Sequence, residues 1–215
     1  MNKKITQTAV AAIAVIGFSA AVPSYAQWYA GASVGKSDIK FDNAAQSSQF
    51  LDLGFFDAVT TSSKRDTGYR VFGGYQLHKY IAAEVAYVDL GRFGFRTDVN
   101  PRGALSGSTR IDGFEVSVLG TLPIGERFSA FARIGALAGQ TKTSYTGSGS
   151  IETLIGGDNQ KKRSTELVYG AGAMYNINKN LSVRGEWSRY DKLGNALTGG
   201  RTNANLYSLG LVYRF

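Results

Sequence analysis

The chain has 215 residues, with 27 Gly, 12 Tyr, 12 Phe, 3 Pro, one His, no Cys and a formal net charge of +8. The missing cysteines exclude a disulfide framework, a thiolate zinc site and a cysteine nucleophile, and the single histidine excludes a His-His metal pair. A hydrophobic content of 43% with 19% charged residues lies outside the disordered range, and glycine scattered among tyrosines and valines without a collagen-like period points to strands and turns.

The first element is not part of the fold. Lys3 and Lys4 form a basic n-region, Ala9 to Val22 is apolar but too short for a membrane helix, and Ser24-Tyr25-Ala26 places small residues where signal peptidase favours them. A secretory signal peptide is expected over residues 1–26, leaving a mature domain over 27–215 that has lost two of the positive charges. Such a product leaves the cytoplasm, so no nucleic-acid partner is expected.

Beyond residue 26 no apolar stretch is long enough for a membrane helix and no run repeats at helical spacing; what repeats is alternation with a period of two. Trp28, Ala30, Ala32 and Val34 oppose Tyr29, Gly31, Ser33 and Gly35. Thr67 to Gln76 sets Tyr69, Val71, Gly73 and Tyr75 against Arg70, Phe72 and Gly74, and the next segment sets Ile81, Ala83, Val85 and Tyr87 against Ala82, Glu84 and Ala86. Ile111 to Leu122, Phe128 to Thr143, Glu166 to Tyr175, Leu181 to Tyr190 and Asn205 to Phe215 continue the pattern. Eight two-faced strands are expected.

Their connections alternate in length. Asp38 to Asp66, Gly91 to Arg110, Ser144 to Arg163 and Asp191 to Thr202 read as long loops, and Leu77 to Tyr80, Pro123 to Arg127 and Asn176 to Asn180 as short turns. All long loops of an up-and-down meander then lie at one end, the asymmetry of transmembrane barrels. The fold expected is all-β, an eight-stranded antiparallel up-and-down transmembrane β-barrel.

Alternation alone does not say whether the apolar face points into a soluble barrel or out into lipid. The polar face carries Arg70, Glu84, Glu115, Arg133, Arg184, Glu186 and Arg214 among many glycines, which suits a narrow eight-stranded lumen better than a soluble exterior. The apolar face ends in aromatics: Trp28, Tyr75, Tyr175, Tyr213 and Phe215 toward the short turns, Tyr69, Tyr87, Trp187 and Tyr207 toward the long loops. These read as two interfacial girdles.

With Trp28-Tyr29-x-Gly31, Phe72-Gly73-Gly74-Tyr75-Gln76, Glu84-x-x-Tyr87, Leu90-Gly91-Arg92 and the ending Ser208-Leu209-Gly210-x-x-Tyr213-Arg214-Phe215, the mature chain resembles the OmpA-like eight-stranded outer-membrane barrels of Gram-negative bacteria. The resemblance implies the outer membrane as location, outer-membrane lipid and lipopolysaccharide as surroundings, and Glu84 at a family glutamate position. It also implies that Tyr213 and Phe215 form the signal read by the barrel-assembly machinery, with periplasmic chaperones as further folding partners. Because the chain stops at Phe215, the peptidoglycan-binding domain of full-length members is expected to be missing, and no wall-anchoring role follows from the resemblance.

Charges in a narrow lumen need partners, because an unpaired buried charge costs several kcal/mol. Glu84, Glu115 and Glu186 are therefore expected to pair with some of Arg70, Arg133, Arg184 and Arg214. No catalytic, cofactor or metal residues are assigned: His78 falls in a short turn remote from the long loops, and no nucleotide or zinc motif appears. Two loop features are candidates for recognition. Phe50, Leu51, Leu53, Phe55 and Phe56 make an apolar run suited to a host surface, another protein or lipid, and Arg92, Arg96, Arg102 and Arg110 make a basic belt suited to lipopolysaccharide phosphates. The reading is a monomeric, non-enzymatic envelope protein with a structural and surface-recognition role; a small porin-like diffusion channel and a soluble periplasmic ligand-binding barrel are the alternatives.

Overall fold

A computed structural model describes residues 27–39, 57–63, 65–100, 103–149, 160–193 and 202–215. The strands are β1 (Gln27–Ile39), β2 (Asp57–Ser63), β3 (Arg65–His78), β4 (Ile81–Asn100), β5 (Gly103–Ile124), β6 (Phe128–Gly149), β7 (Gln160–Asn176), β8 (Leu181–Leu193) and β9 (Thr202–Arg214). Each pairs antiparallel with its neighbours, and β1 closes the sheet by pairing with β9 from Tyr29↔Arg214 to Ile39↔Ala204. β2 and β3 pair in turn with the two ends of β4, so together they fill one position in the wall. The result is a closed eight-stranded barrel. Closure leaves no open sheet edge within the hydrocarbon, where an unmatched backbone N–H or C=O costs several kcal/mol.

Short turns at Lys79-Tyr80, Gly125–Arg127 and 177–180 lie at one end. Gly125 takes a φ of 73°, open to glycine at no steric cost, while Asn178 Oδ1 accepts the N–H groups of Asn180 and Leu181 at 2.9 and 2.7 Å, closing the last turn through a side chain.

At the opposite end the structure departs from the expected loops. Most of Gly91 to Arg110 is a continuation of β4 and β5, paired from Arg92↔Arg110 to Val99↔Gly103, and much of Ser144 to Arg163 continues β6 and β7. In β4 the alternation is interrupted by a register shift between Asp89 and Arg92. Gly91, at a φ of 91°, absorbs one extra residue there, held by its N–H donating to Asp89 Oδ1 at 2.9 Å. A bulge breaks the two-residue period without ending the strand, so alternation reads it as a terminus.

The apolar face points outward. Phe114, Leu122, Leu209 and Ile134 are each more than 60% exposed, whereas Arg70, Glu84, Glu115, Arg133 and Arg184 turn inward and are buried. A soluble ligand-binding barrel has the reverse arrangement, so that alternative is discarded. The aromatics pair at the two rims: Trp28 with Tyr75 and Phe128 with Tyr175 (ring centroids 4.9 Å apart in both) near the short turns, Tyr87 with Phe114 (5.4 Å) and Tyr169 with Trp187 (6.2 Å) toward the far end.

Inward glycines give the lumen side chains their room. A Cβ on Gly172 would come within 2.6 Å of the Phe131 ring and meet the Gly185 carbonyl, which cannot move away, whereas a Cβ on the lipid-facing Gly73 has only the Tyr29 carbonyl, at 3.9 Å. Gly172→Ala is therefore expected to cost about 1–3 kcal/mol, with Gly73→Ala within about 0.5 kcal/mol of neutral, as read from urea unfolding of the refolded barrel. Equal effects would contradict the assignment of faces.

Candidate functional site in the charged lumen

The inward positions at mid-barrel bring together three arginines and three glutamates. Arg70 comes from β3, Glu84 from β4, Glu115 from β5, Arg133 from β6, and Arg184 and Glu186 from β8. At the same level β1, β7 and β9 contribute small residues, Gly31, Gly172 and Gly210 among them, so bulky charges on five strands fill the space left by the other three.

Each arginine bridges more than one carboxylate. Arg70 places Nη2 2.6 Å from Glu84 Oε1 and 3.1 Å from Glu115 Oε1, and Nη1 2.8 Å from Glu186 Oε1. Arg133 reaches the same three residues, with Nη2 2.5 Å from Glu84, Nη1 2.7 Å from Glu115 and Nε 3.0 Å from Glu186. Arg184 lies between Glu84 Oε2 at 2.8 Å and Glu186 Oε2 at 2.7 Å. These side chains are no more than 4% exposed. Formal charge within the cluster sums to zero, and charge-assisted contacts in so dry a setting are short.

Neutral donors occupy much of the remaining carboxylate capacity. Tyr29 OH donates to Glu84 Oε2 and Tyr190 OH to Glu115 Oε2, both at 3.2 Å, and Ser188 Oγ donates to Glu186 Oε1 at 2.6 Å. Toward the short turns, Arg184 Cζ sits 4.8 Å from the Phe72 ring centroid and 4.4 Å from that of Phe131, within cation–π range. Toward the far end Ile39, Val88, Leu90, Leu137, Val168 and Leu206 are at most 1% exposed. The charges are thus enclosed between an aromatic layer and a mainly aliphatic one, in which the buried Glu166 stands opposite Leu137. Strand parity puts Tyr29 and Phe72 on the same face as Arg70 and Glu84, but only the cross-barrel geometry shows them, and Phe131, touching the charges.

Arg214, expected among the paired charges, lies elsewhere. Its Nη1 donates to Asn176 Oδ1 at 3.0 Å and Ser182 Oγ at 2.8 Å, and among the described residues it forms no salt bridge. The register explains this, since Arg214 stands opposite Tyr29 at the short-turn rim, below the charged layer. The space between it and the cluster, bounded by Tyr29, Gln76, Met174 and Arg184, is about 10 Å³, room for about one water.

The remaining candidates are spread along the wall. Arg92 is exposed, and its backbone N–H donates to Asp66 Oδ2 at 2.5 Å. Arg96 is also exposed, Arg110 forms a salt bridge with Asp89, and Arg102 lies outside the described residues. Phe50, Leu51, Leu53, Phe55 and Phe56 lie outside them too, as does the expected signal peptide. Tyr213 and Phe215 sit on the lipid-facing side, ring centroids 5.2 Å apart, and the Phe215 N–H donates to the Trp28 carbonyl at 3.0 Å. His78 is exposed at the short-turn end, with its ring 5.7 Å from that of Tyr80.

The description of the OmpA-like transmembrane domain matches residues 23–215. The chain belongs to that family. Among curated relatives, this OmpA-like barrel is 29% identical to outer membrane protein A of Salmonella typhi and 28% identical to that of Escherichia fergusonii, in each case over 97% of this chain and 55% of the relative. It thus spans about half the length of the curated relatives it matches. Among solved structures, Neisserial surface protein A superposes with a TM-score of 0.52 at 13% identity, covering 87% of this chain and 97% of that one. Ail, the attachment invasion locus protein of Yersinia pestis, gives 0.52 at 16%, covering 88% and 98%. At such identities the two structures speak for the fold. The OmpA-like barrel is an outer-membrane protein of the Gram-negative type, and its family consists of structural barrels rather than enzymes in general.

Proposed function

We propose that this OmpA-like barrel is a structural component of the outer membrane whose lumen is a sealed, ion-paired plug, and that its contacts with the outside are made by the far ends of the strands and the connections between them. The observation that carries the reading is the neutral set of three arginines and three glutamates closed between an aromatic layer and a mainly aliphatic one. Such a layer admits no hydrated ion without first separating short charge pairs, which costs several kcal/mol. The protein then acts as a monomer, with lipid and lipopolysaccharide around it, and Tyr213 and Phe215, on the lipid face of the last strand, as the segment presented to the assembly machinery and its chaperones. An extracellular or host ligand is the remaining partner class, to be met by the strand ends that rise beyond the outer girdle.

The test is conductance of the refolded mature chain, Gln27 to Phe215, in a planar bilayer. A folded barrel that inserts and stays electrically silent is the expected result. Discrete, reproducible openings would favour the porin-like channel, with Glu84 and Arg133 as the groups that must part.

A further inference from the structure

Toward the short turns the lumen carries a fourth guanidinium that no carboxylate balances. Arg214 stands two inward positions below Gly210, the β9 residue opposite Arg184. Between the two arginines lies the small space that Tyr29, Gln76 and Met174 also border. We infer that this space is a binding site for a monovalent inorganic anion of halide size, held between Arg214 and Arg184. Arg214 is half-buried at the short-turn rim, so the site is approached from that end and precedes the charged layer. The inference therefore holds whether or not the plug above it is sealed to ions.

Charge balance decides the sign of the ligand. Arg70, Arg133 and Arg184 offset Glu84, Glu115 and Glu186, and the other buried carboxylate, Glu166, lies beyond them in the far layer. No aspartate or glutamate borders the space. A cation partly withdrawn from water and given only neutral acceptors is costly, and Arg214 has Asn176 Oδ1 and Ser182 Oγ, both reached through Nη1. These contacts engage two of its five N–H groups, which leaves Nε and Nη2 for an anion. On the other side, Arg184 Nε has no hydrogen-bond partner, and Arg184 Nη2, although 2.7 Å from Glu186 Oε2, is not aligned for a hydrogen bond with it. The neutral donors around the space are committed elsewhere, Tyr29 OH to Glu84 and Gln76 Nε2 to the carbonyls of His78 and Ile81.

Size and surroundings narrow the class. A space of about 10 Å³, walled in part by Ala82, Leu119 and Val212, takes one small ion and excludes phosphate and organic acids. A halide is spherical and accepts hydrogen bonds from any direction, so two guanidinium groups facing it from opposite sides hold it without a particular alignment. The short turns add to the attraction, carrying Lys79, Arg127 and Lys179 against the single Glu126. Surplus positive charge around a mouth with low-dielectric walls raises the local concentration of anions.

The test is broadening of the chloride nuclear magnetic resonance line by the refolded mature chain, Gln27 to Phe215, in neutral detergent, with heat-modifiable migration as the check that each variant is folded. Wild type is expected to broaden the line beyond detergent alone and to saturate. Bromide should reverse the broadening, whereas gluconate, too large for the space, should not. Arg214→Gln, which keeps a side-chain amide near Asn176 and Ser182, should remove the excess. Gln76→Glu keeps Arg214 but puts a fixed carboxylate in the same wall, and should remove it as well. Urea unfolding gives a second readout: the wild-type midpoint should be higher in sodium chloride than in sodium gluconate at equal ionic strength, and the two midpoints should coincide in Arg214→Gln. No excess broadening in wild type, or an excess that survives in either folded variant, overturns the site. Displacement by gluconate as effective as that by bromide also overturns it, by making the signal one of exposed surface charge. Bilayer conductance is a separate measurement: an open lumen with the chloride signal intact would refute the seal and leave the site standing.

Discussion

Replacing Glu84 by alanine is expected to destabilise the barrel by about 3–5 kcal/mol, the cost of breaking a buried ion pair from one side. Glu84, like Glu186, meets all three arginines of the cluster. Its two oxygens face Arg70 at 2.6 Å, Arg133 at 2.5 Å and Arg184 at 2.8 Å, and accept from Tyr29 as well. Without it three guanidinium groups share two carboxylates in a space closed by an aromatic layer and a mainly aliphatic one, and one positive charge is left with nothing to balance it. Denaturant unfolding of the refolded barrel measures the loss, and bilayer recording should show a rise in conductance that favours anions. A further single variant and its double with Glu84→Ala separate charge balance from packing. Arg133→Met alone should be about as damaging as Glu84→Ala, since Arg133 contacts all three glutamates, but the two combined restore neutrality and should be less damaging than the sum of the singles by about 0.5–3 kcal/mol. Strict additivity, or an unaltered unfolding midpoint for Glu84→Ala, would show that the cluster contributes nothing as a unit.

The second large effect is expected on the opposite face of the wall. Val118 lies midway along the outward row of β5, between Phe114 at the outer girdle and Leu122 toward the short turns, and is 51% exposed. Val118→Arg places a guanidinium at mid-hydrocarbon and should cost about 2–4 kcal/mol, whereas Leu122→Arg, close to the interface, should cost about 0–1 kcal/mol. On a barrel surrounded by water the two would be alike and nearly neutral. The comparison is made by unfolding both variants from lipid vesicles, and a flat profile along the strand would refute the lipid-facing assignment.

The faces of the wall were legible in the sequence because side-chain direction in a strand is set by parity alone. Arg70 and Glu84 point inward and Val71 and Val85 outward for a reason that needs no knowledge of neighbours. Parity is lost where a bulge intervenes: Leu90-Gly91 shifts the pattern by one, so Arg92 to Asn100 read as loop although they continue a strand. Partners were less legible than faces. Which arginine meets which glutamate depends on stagger around the closed sheet, and that same stagger leaves Arg214 at the rim with Asn176 and Ser182. Of the expected basic belt, only cross-strand pairing shows that Arg110 stands opposite both Arg92 and Lys142.

The strands are unequal: β5 and β6 have 22 residues each, while β1, β8 and β9 have 13. At about 3.3 Å per residue and a tilt near 40°, the difference amounts to roughly 20 Å of height. All strands start from nearly the same level at the short turns, so the whole excess stands up on one side, as a parapet over half the circumference. The molecule therefore has a front and a back as it rotates in the plane of the membrane. Among the described residues, a neighbour approaching from the side of β4 to β7 meets a tall wall and one approaching from the side of β8, β9 and β1 meets strands that end lower, so rotation about the barrel axis becomes a variable in every lateral encounter.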